Sequence, residues 1–341
     1  MKAEIQPSYD KKRQKLLDII PLEAPLGMYI EPTRRCNFKC FYCMHATRGV
    51  AGGQLDREGF RIENMSGELY TKIIKDIMAF PQPPKRIAFS GLGEPLMNKD
   101  LPNMIKELRD AGFTGRIDVL TNGVLLTPKM ADALVAAGIS RIQISIQAVN
   151  KEGYQENSGV DIDFKALLDN ISYLYKHKGN ASVFIKIIDS LLKNKNDEKK
   201  FYELFGNLCD AIYIEHLVVM QKQMGDHQGM VDFTRNLNNE LVAPRKICSI
   251  MFYFLQVNID GQTFPCSTPG LPNGFSMGCA KEKSLLEIWN DRPRNELICK
   301  NLREGRMSIE ECRECSSCIC IADPAEDLDD HIDEALKKFK K

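Results

Sequence analysis

The chain has 341 residues, enough to bury one large α/β core and a smaller appendage. Its 46 Lys and Arg balance its 46 Asp and Glu, so no whole-chain field draws it toward nucleic acid or an acidic membrane. The opening MKAEIQPSYDKKRQKLLDII is too charged for a signal peptide, and no apolar run approaches the ~20 residues that span a bilayer. Twelve cysteines then read as metal ligands or reactive thiols of a cytoplasmic protein, with neither membrane nor nucleic acid as partner.

After a polar leader (1–24), short apolar runs alternate with helical stretches. GMYIEPT (27–33) reads as the first strand; KRIAFSG, RIDVLTNG, RIQISIQA, SVFIKIID and AIYIEHLVV read as five more. Between them lie SGELYTKIIKDIMAF, KDLPNMIKELRDAG, TPKMADALVAAG, DFKALLDNISYLYKHKG and DEKKFYELFGNL. Each has apolar residues at helical spacing, as in Ile73, Ile74, Ile77 and Met78. Six βα repeats to about residue 220 predict parallel strands with helices outside. Several strands end in polar or glycine residues: Ser90-Gly91, Thr121-Asn122-Gly123, Ser145 and Gln147, Asp189, and Glu215-His216. Any one of these reads as readily as a turn or cap. Their recurrence points to a site, because β/α barrels build theirs at the C-terminal strand ends.

Residues 46–65 and 217–247 lack periodicity, and loops of that length usually carry function. Beyond residue 244 the texture changes. MFYFLQVNIDGQTFPC predicts a hairpin with a tight two-residue Asp260-Gly261 turn. KSLLEIWNDRPRNELICKNLREG predicts a helix broken at Pro293. DLDDHIDEALKKFKK predicts a closing amphipathic helix with Leu328, Ile332, Leu336 and Phe339 on one face. The expected division is a leader (1–24), a barrel (25–243), a cysteine-rich domain (244–323) and a C-terminal helix (324–341).

RRCNFKCFYCMH places Cys36, Cys40 and Cys43 on one tight loop directly after the first strand. Three thiols without a fourth suit a cuboidal [4Fe–4S] cluster with one iron left open to a ligand. A zinc site needs four closed ligands, and His45 could supply the last.

At this point the sequence resembles the radical S-adenosylmethionine (SAM) superfamily. The likeness rests on the CxxxCxxC of Cys36, Cys40 and Cys43 with the aromatic Tyr42 before the third cysteine. It continues in SGLGEP, where Gly91, Gly93, Glu94 and Pro95 match the family's glycine-rich motif. The resemblance covers roughly residues 25–220 and implies a partial (β/α)6 TIM-like barrel. It implies that the open iron chelates the SAM amino and carboxylate groups, and that Gly91, Gly93 and Glu94 lie beside the methionine moiety. Ser145 and Gln147, counted at the end of the fifth barrel strand, become ribose or carboxylate contacts. Thr121 and Asn122 become pocket residues, and Tyr42 packs near the adenine. The family's chemistry is reductive cleavage of SAM to a 5′-deoxyadenosyl radical, which takes hydrogen from an unactivated C–H bond. It needs a reductant of the flavodoxin or ferredoxin type.

A second cysteine set follows. Cys248, twelve residues, Gly261, four residues and Cys266 resemble the opening of the SPASM and Twitch extensions of these enzymes, an α+β addition. CRECSSCIC adds Cys312, Cys315, Cys318 and Cys320, but its spacing departs from the full SPASM pattern. The expectation is one auxiliary [4Fe–4S] cluster on Cys248, Cys266, Cys312 and Cys315. A second auxiliary cluster would need Cys318 and Cys320, and a structural zinc is the alternative occupant of the tetrad. Cys209, Cys279 and Cys299 read as small buried hydrophobes, with Cys279 near the auxiliary site.

The Twitch-type architecture resembles 2-deoxy-scyllo-inosamine dehydrogenase and related sugar-modifying enzymes. It implies dehydrogenation of a carbinol carbon in a sugar, nucleotide-sugar or aminocyclitol, with the auxiliary cluster taking an electron. Base candidates are Asp189, Glu215, His216 and His227. The alternatives are an epimerase with Cys279, Cys318 or Cys320 as hydrogen donor, a peptide-maturing SPASM enzyme, and a non-catalytic metal scaffold. About 25 residues before the first strand are too few for the peptide-recognition domain many such maturases carry.

Overall fold

The computed structural model describes residues 1–9, 13–218, 234–313, 315–316, 320 and 322–339. Ten strands form one sheet in the order β1-β7-β6-β5-β4-β3-β2-β8-β9-β10. The six strands of the βα repeats are β2 (Gly27–Ile30), β3 (Arg86–Phe89), β4 (Arg116–Thr121), β5 (Arg141–Ile146), β6 (Ser182–Ile188) and β7 (Ala211–Glu215). All are parallel and each neighbours its successor, which gives the expected α/β partial barrel. RIQISIQA is therefore the fourth barrel strand rather than the fifth. Counting β1 (Glu4–Ile5), by which the leader extends the sheet beside β7, makes it fifth in the chain.

The helices between them are α3 (Gly67–Met78), α4 (Leu101–Asp110), α5 (Pro128–Ala136), α6 (Lys151–Ser158), α7 (Phe164–His177) and α8 (Lys195–Phe205); the short α1 (Leu16–Ile19) and α2 (Gln54–Arg57) precede α3. Ser66, Thr127, Asp163 and Asn194 cap α3, α5, α7 and α8 by accepting orphan N–H groups, which fixes where these helices begin. The sequence reading misses α6, because KEGYQENS offers one large apolar residue, Tyr154, and no helical stripe.

Alternation along the strands assigns the two faces of the sheet. Met28, Ile30, Ile87, Phe89, Ile117, Val119, Ile142, Ile144, Val183, Ile185, Ile187 and Ile212 belong to the core shared with the helices. The alternate residues, including Tyr29, Asp118, Gln143, Ser145, Lys186 and Tyr213, face the lumen. At the N-terminal end of the strands Asp118 is paired with Arg86 at 2.6 Å and Arg116 at 3.1 Å, and Arg141 lies over Phe184. That end is closed by packing and charge. The lumen is left to open toward the C-terminal strand ends.

The cysteine-rich part continues the same sheet. β8 (Phe254–Val257) pairs parallel with β2, and β9 (Gln262–Phe264) and β10 (Gly278–Cys279) add antiparallel strands. The hairpin turn is longer than predicted. Asn258 N–H donates to Gln262 O and Gly261 N–H to Asn258 O, so the loop holds three residues, with Gly261 at φ +87°. A type I turn followed by a left-handed glycine satisfies the hairpin as well as a two-residue turn does. The KSLLEIW segment forms two helices, α9 (Leu285–Asn290) and α10 (Arg292–Glu304). They part at Asp291, which ends one and caps the other, while Pro293 sits in the first turn of α10, where its missing N–H costs nothing. The closing helix α11 (Ile332–Phe339) is preceded by a 3₁₀ turn. Leu328, Leu336 and Phe339 pack with Leu16, Leu17, Phe252, Ile298 and Leu302, so the two ends of the chain share one apolar cluster.

Candidate radical-cluster and auxiliary-cluster sites

The cysteine loop leaves β2 at Glu31 and is held from three sides. Lys39 and Phe41 N–H groups donate to the carbonyls of Ser158 and Asn157 at the end of α6. Glu94 N–H donates to Arg35 O, and Asn122 Nδ2 donates to Asn37 Oδ1 at 2.7 Å. Gly93 is required by contact: a Cβ there would stand 2.3 Å from Thr33 O and 2.6 Å from Arg35 O. Gly91, at φ +146°, would bring a Cβ to 2.7 Å from Glu31 Cγ. The glycine-rich turn is therefore shaped by the cysteine loop it lies against.

Within the loop, Cys40 Sγ lies 3.7 Å from both Gln147 Oε1 and Ser158 Oγ. Tyr42 hydroxyl donates to Gln147 Oε1 at 2.5 Å, and Gln147 Nε2 donates to Ser145 O. Burial pushes Cys36 and Cys40 up to about 12, with Glu94 and then the other two sulfurs adding to the rise at Cys36 and Cys43 adding to it at Cys40; burial also raises Cys43. Bare thiolates are disfavoured here, and cationic irons would supply the charge that favours them. Among the described residues no three His, Cys, Asp or Glu side chains converge on one ion. Three thiols on one loop fit a cubane cluster, in which each thiolate binds its own iron and the fourth iron stays open, whereas zinc asks for four closed ligands. His45 is buried, with Nδ1 3.3 Å from Arg48 Nη1, and burial and then the Arg48 charge lower its pKa to about 4.

Glu94 is fully engaged with β4. Its carboxylate accepts from Thr121 hydroxyl at 2.6 Å, Asn122 N–H at 2.7 Å and Leu96 N–H at 3.0 Å, while burial pushes it up to about 7. Thr121 and Asn122 are thereby fixed to the GLGEP turn, and Gln147 is fixed to the cysteine loop. These side chains define the walls around the loop, and Ser145 faces the lumen beside them.

At the far rim, His216 Nδ1 lies 2.6 Å from Asp189 Oδ2, and Leu217 N–H donates to Asp189 Oδ1. His216 Nε2 has no hydrogen-bond partner among the described residues. Glu215 is buried and paired with Lys186 of β6. The base candidates thus separate into two couples, Asp189–His216 and Lys186–Glu215. Lys186 escaped the sequence reading; its signal was a charge inside an otherwise apolar parallel strand. His227 lies outside the described residues.

The second set gathers at the base of the hairpin. Cys248 and Cys312 share an apolar cluster with Met251 and Ile309. Burial and the neighbouring sulfurs Cys266 and Cys315 raise Cys312, and burial with Cys315 pushes Cys266 up to about 11. The fully buried Asn301 of α10 accepts the Cys248 N–H at 3.1 Å and donates to its carbonyl at 3.0 Å. Arg306 donates to Cys312 O at 2.8 Å and Cys315 O at 2.9 Å. This donor set of four thiols fits an iron–sulfur cluster. Cys320 is buried, with its thiol donating to Ser316 O, and Cys318 lies outside the described residues. Cys279 is not at this site. It pairs with Gln262 at the hairpin tip, its Sγ 3.8 Å from Asp260 O, at the opposite end from Cys266. Cys209 is buried as expected, whereas Cys299 is only half-buried. Among the described residues no helix is long and apolar enough to cross a membrane.

A parallel partial barrel with a three-cysteine loop at its mouth and a second cysteine set on an added hairpin defines an iron–sulfur radical enzyme. The chain belongs to the radical SAM superfamily, which residues 30–205 match, and residues 248–318 match SPASM, an iron-sulfur cluster-binding domain. Its cofactors are a SAM-binding [4Fe–4S] cluster, SAM and auxiliary iron–sulfur chemistry. The chain is 35% identical over 131 residues to a probable GTP 3′,8-cyclase of Methanococcus vannielii, covering 38% of this chain and 39% of that one. It therefore spans about two fifths of that relative's length. It is 25% identical over 300 residues to the tungsten-containing aldehyde ferredoxin oxidoreductase cofactor-modifying protein of Pyrococcus furiosus, covering 77% and 80%. The fold is similar to BtrN in complex with AdoMet and 2-DOIA (TM-score 0.52, 18% identity, 88% of this chain and 97% of that one). It is similar also to anSMEcpe with bound AdoMet (0.59, 18%, 92% and 96%).

Proposed function

We propose that the protein dehydrogenates a carbinol carbon of a sugar, nucleotide-sugar or aminocyclitol, within a barrel of residues 25–243 and an auxiliary domain of residues 244–323. The observation that carries this reading is the Asp189–His216 couple at the C-terminal strand ends. When bound, SAM and its cluster supply a carbon radical that removes the carbinol hydrogen atom, and the auxiliary cluster supplies an acceptor for the electron released as the carbonyl forms. The remaining task is to remove the hydroxyl proton. Asp189 fixes the proton on His216 Nδ1 and leaves Nε2 as the lone pair that accepts it. Glu215 is the weaker base candidate, because its charge is already matched by Lys186. Cys36, Cys40 and Cys43 would hold the SAM cluster. Cys248, Cys266, Cys312 and Cys315 would hold one auxiliary cluster, and a flavodoxin- or ferredoxin-type protein would reduce the enzyme.

Mass balance tests the reading. In D2O, dehydrogenation gives a carbonyl product two mass units lighter, with the substrate hydrogen in 5′-deoxyadenosine. The rival epimerase reading has Cys320 in its favour, since Leu237 bridges its carbonyl to the His216 N–H. An isomeric product carrying one solvent deuterium, lost in Cys320→Ala, would decide for epimerisation.

A further inference from the structure

We propose that Lys186 and Glu215 form the subsite that grips the uncharged, hydroxyl-bearing part of the substrate; this rests on the dehydrogenase reading above. The argument begins in the strand SVFIKIID. Val183, Ile185 and Ile187 join the core with the helices, so Lys186 points to the lumen. It stands in register with Ser145 on one side and Tyr213 on the other, a row of three polar side chains across strands about 5 Å apart. Its ammonium pairs with Glu215, which is 3% exposed at the last residue of β7.

The other lumen charges have structural work. Arg86 and Arg116 bind Asp118, and Arg141 donates to Ser8 O and covers Phe184. Toward the open end Glu31 is held by Arg34 and by the Leu92 and Ile259 N–H groups, and Asp189 is held by His216, which leaves Lys186–Glu215 as a lumen ion pair without such a task among the described residues. Glu215 is buried and Lys186 part-exposed, and a pair that takes a carboxylate out of water returns little over apolar residues of the same volume, so stability alone does not account for it. Its chemistry selects a ligand. The pair has no net charge, so a phosphoryl group would meet the Glu215 carboxylate. A hydroxyl satisfies both members: its oxygen accepts from Lys186 Nζ and its proton is donated to Glu215. A vicinal diol or amino alcohol occupies both at once. Ser145, which the family resemblance sets beside SAM, is one strand away, so a substrate gripped here would lie next to the cofactor.

The test uses reconstituted holoenzyme and three probes: 2-deoxy-scyllo-inosamine, UDP-glucose and glucose 6-phosphate. Formation of 5′-deoxyadenosine is measured with and without each probe for wild type, Lys186→Met, Glu215→Gln and the double variant Lys186→Met/Glu215→Met. The double variant replaces the pair by apolar side chains and keeps the test open should a single variant not fold. Stimulation of the wild type by 2-deoxy-scyllo-inosamine or UDP-glucose is expected. The variants should raise the KM for that probe about 30-fold, the loss of one charge-assisted hydrogen bond. Their cleavage of SAM without probe should stay within about twofold of wild type. Unchanged KM in the variants overturns this subsite alone. Parallel loss of probe-free cleavage puts the pair in the SAM site and also overturns it, as does stimulation by glucose 6-phosphate only. A wild type that no probe stimulates overturns the dehydrogenase reading together with the subsite.

Discussion

Arg34 Nη2 lies 3.1 Å from Asp260 Oδ2, joining the start of the cysteine loop to the tip of a hairpin 226 positions later. Arg34 Nε also pairs with Glu31 at 3.0 Å, and Glu31 accepts N–H groups from Leu92 of the GLGEP turn and Ile259 of the hairpin. Three segments distant in sequence thus meet on one buried carboxylate, whose pKa is raised by burial and held back by Arg34. Because Cys248 and Cys266 lie at the hairpin's other end, the hairpin links the two cysteine groups mechanically. Arg34→Met leaves Glu31 buried without its cation and should destabilise the fold by about 3 kcal/mol or more in denaturant unfolding. Adding Glu31→Gln should restore part of that loss. If the single variant proves as stable as wild type, the network does not hold the hairpin to the barrel.

Gly93 makes a sharper demand on the same region. A methyl group there meets backbone oxygens at 2.3 and 2.6 Å, and neither oxygen can rotate away. Gly93→Ala should displace the cysteine loop, cost about 2 kcal/mol or more, and abolish SAM cleavage while the auxiliary iron remains. Iron per chain and 5′-deoxyadenosine yield measure both effects. Full activity in this variant would show that the loop and the GLGEP turn are not closely apposed.

These contacts show what the sequence could and could not disclose. The barrel strands were legible because their apolar runs recur with helical stretches of ordinary length between them. The cysteine loop was legible because ligand spacing is local. The Asp189–His216 couple was not, since its members end different strands and each alone resembles a turn residue. Lys186 is one charge in an otherwise apolar strand, and only the register that sets it beside Glu215 gives that exception its meaning. The role of Glu94 also depended on tertiary structure: GLGEP places it in a turn, and only the approach of β4 turns its carboxylate toward Thr121 and Asn122. Cys279 looked close to Cys266 along the chain, but an antiparallel pairing carries it to the opposite end of the hairpin.

The buried Glu94 carboxyl predicts a pH dependence. Its folded-state value is raised to about 7 from the ordinary 4.5, so the folded chain binds the proton more tightly than the unfolded one. The stabilisation is complete below about pH 4.5 and is lost as the pH rises through about 7, a change on the order of 3 kcal/mol. In chain free of SAM, unfolding free energy should fall across that window, and Glu94→Gln should flatten the fall. Equal slopes in the two proteins would mean that the three hydrogen bonds already keep Glu94 ionised.

Iron content separates the two cysteine groups. A reconstituted chain with one auxiliary cluster should hold about eight irons, and the Cys36/Cys40/Cys43→Ala protein about four with no 5′-deoxyadenosine formed. Asn301→Ala, which frees the Cys248 backbone, should lose the auxiliary irons first. About twelve irons in the wild type would show that Cys318 and Cys320 complete a third cluster, and zinc in place of the last four irons would make the second group a structural clamp.

The Asp189–His216 couple can be tested apart from SAM chemistry, because it acts only on the substrate hydroxyl. His216→Gln should lower carbonyl formation by roughly 10²–10³-fold, the usual loss on removing a positioned base. Cleavage of SAM in the absence of substrate should be unchanged, since the hydrogen-bond partners of His216 among the described residues, Asp189 and Leu237, hold no part of the cysteine loop. Asp189→Asn keeps the shape but lets an amide face Nδ1, so the imidazole can settle in the tautomer that puts its proton on Nε2, where the lone pair is needed. It should therefore lower product formation nearly as far while leaving the KM for substrate close to wild type. A variant pair that loses SAM cleavage and product formation together would place these residues in support of the barrel rim, and the proton acceptor would then have to be sought at Glu215.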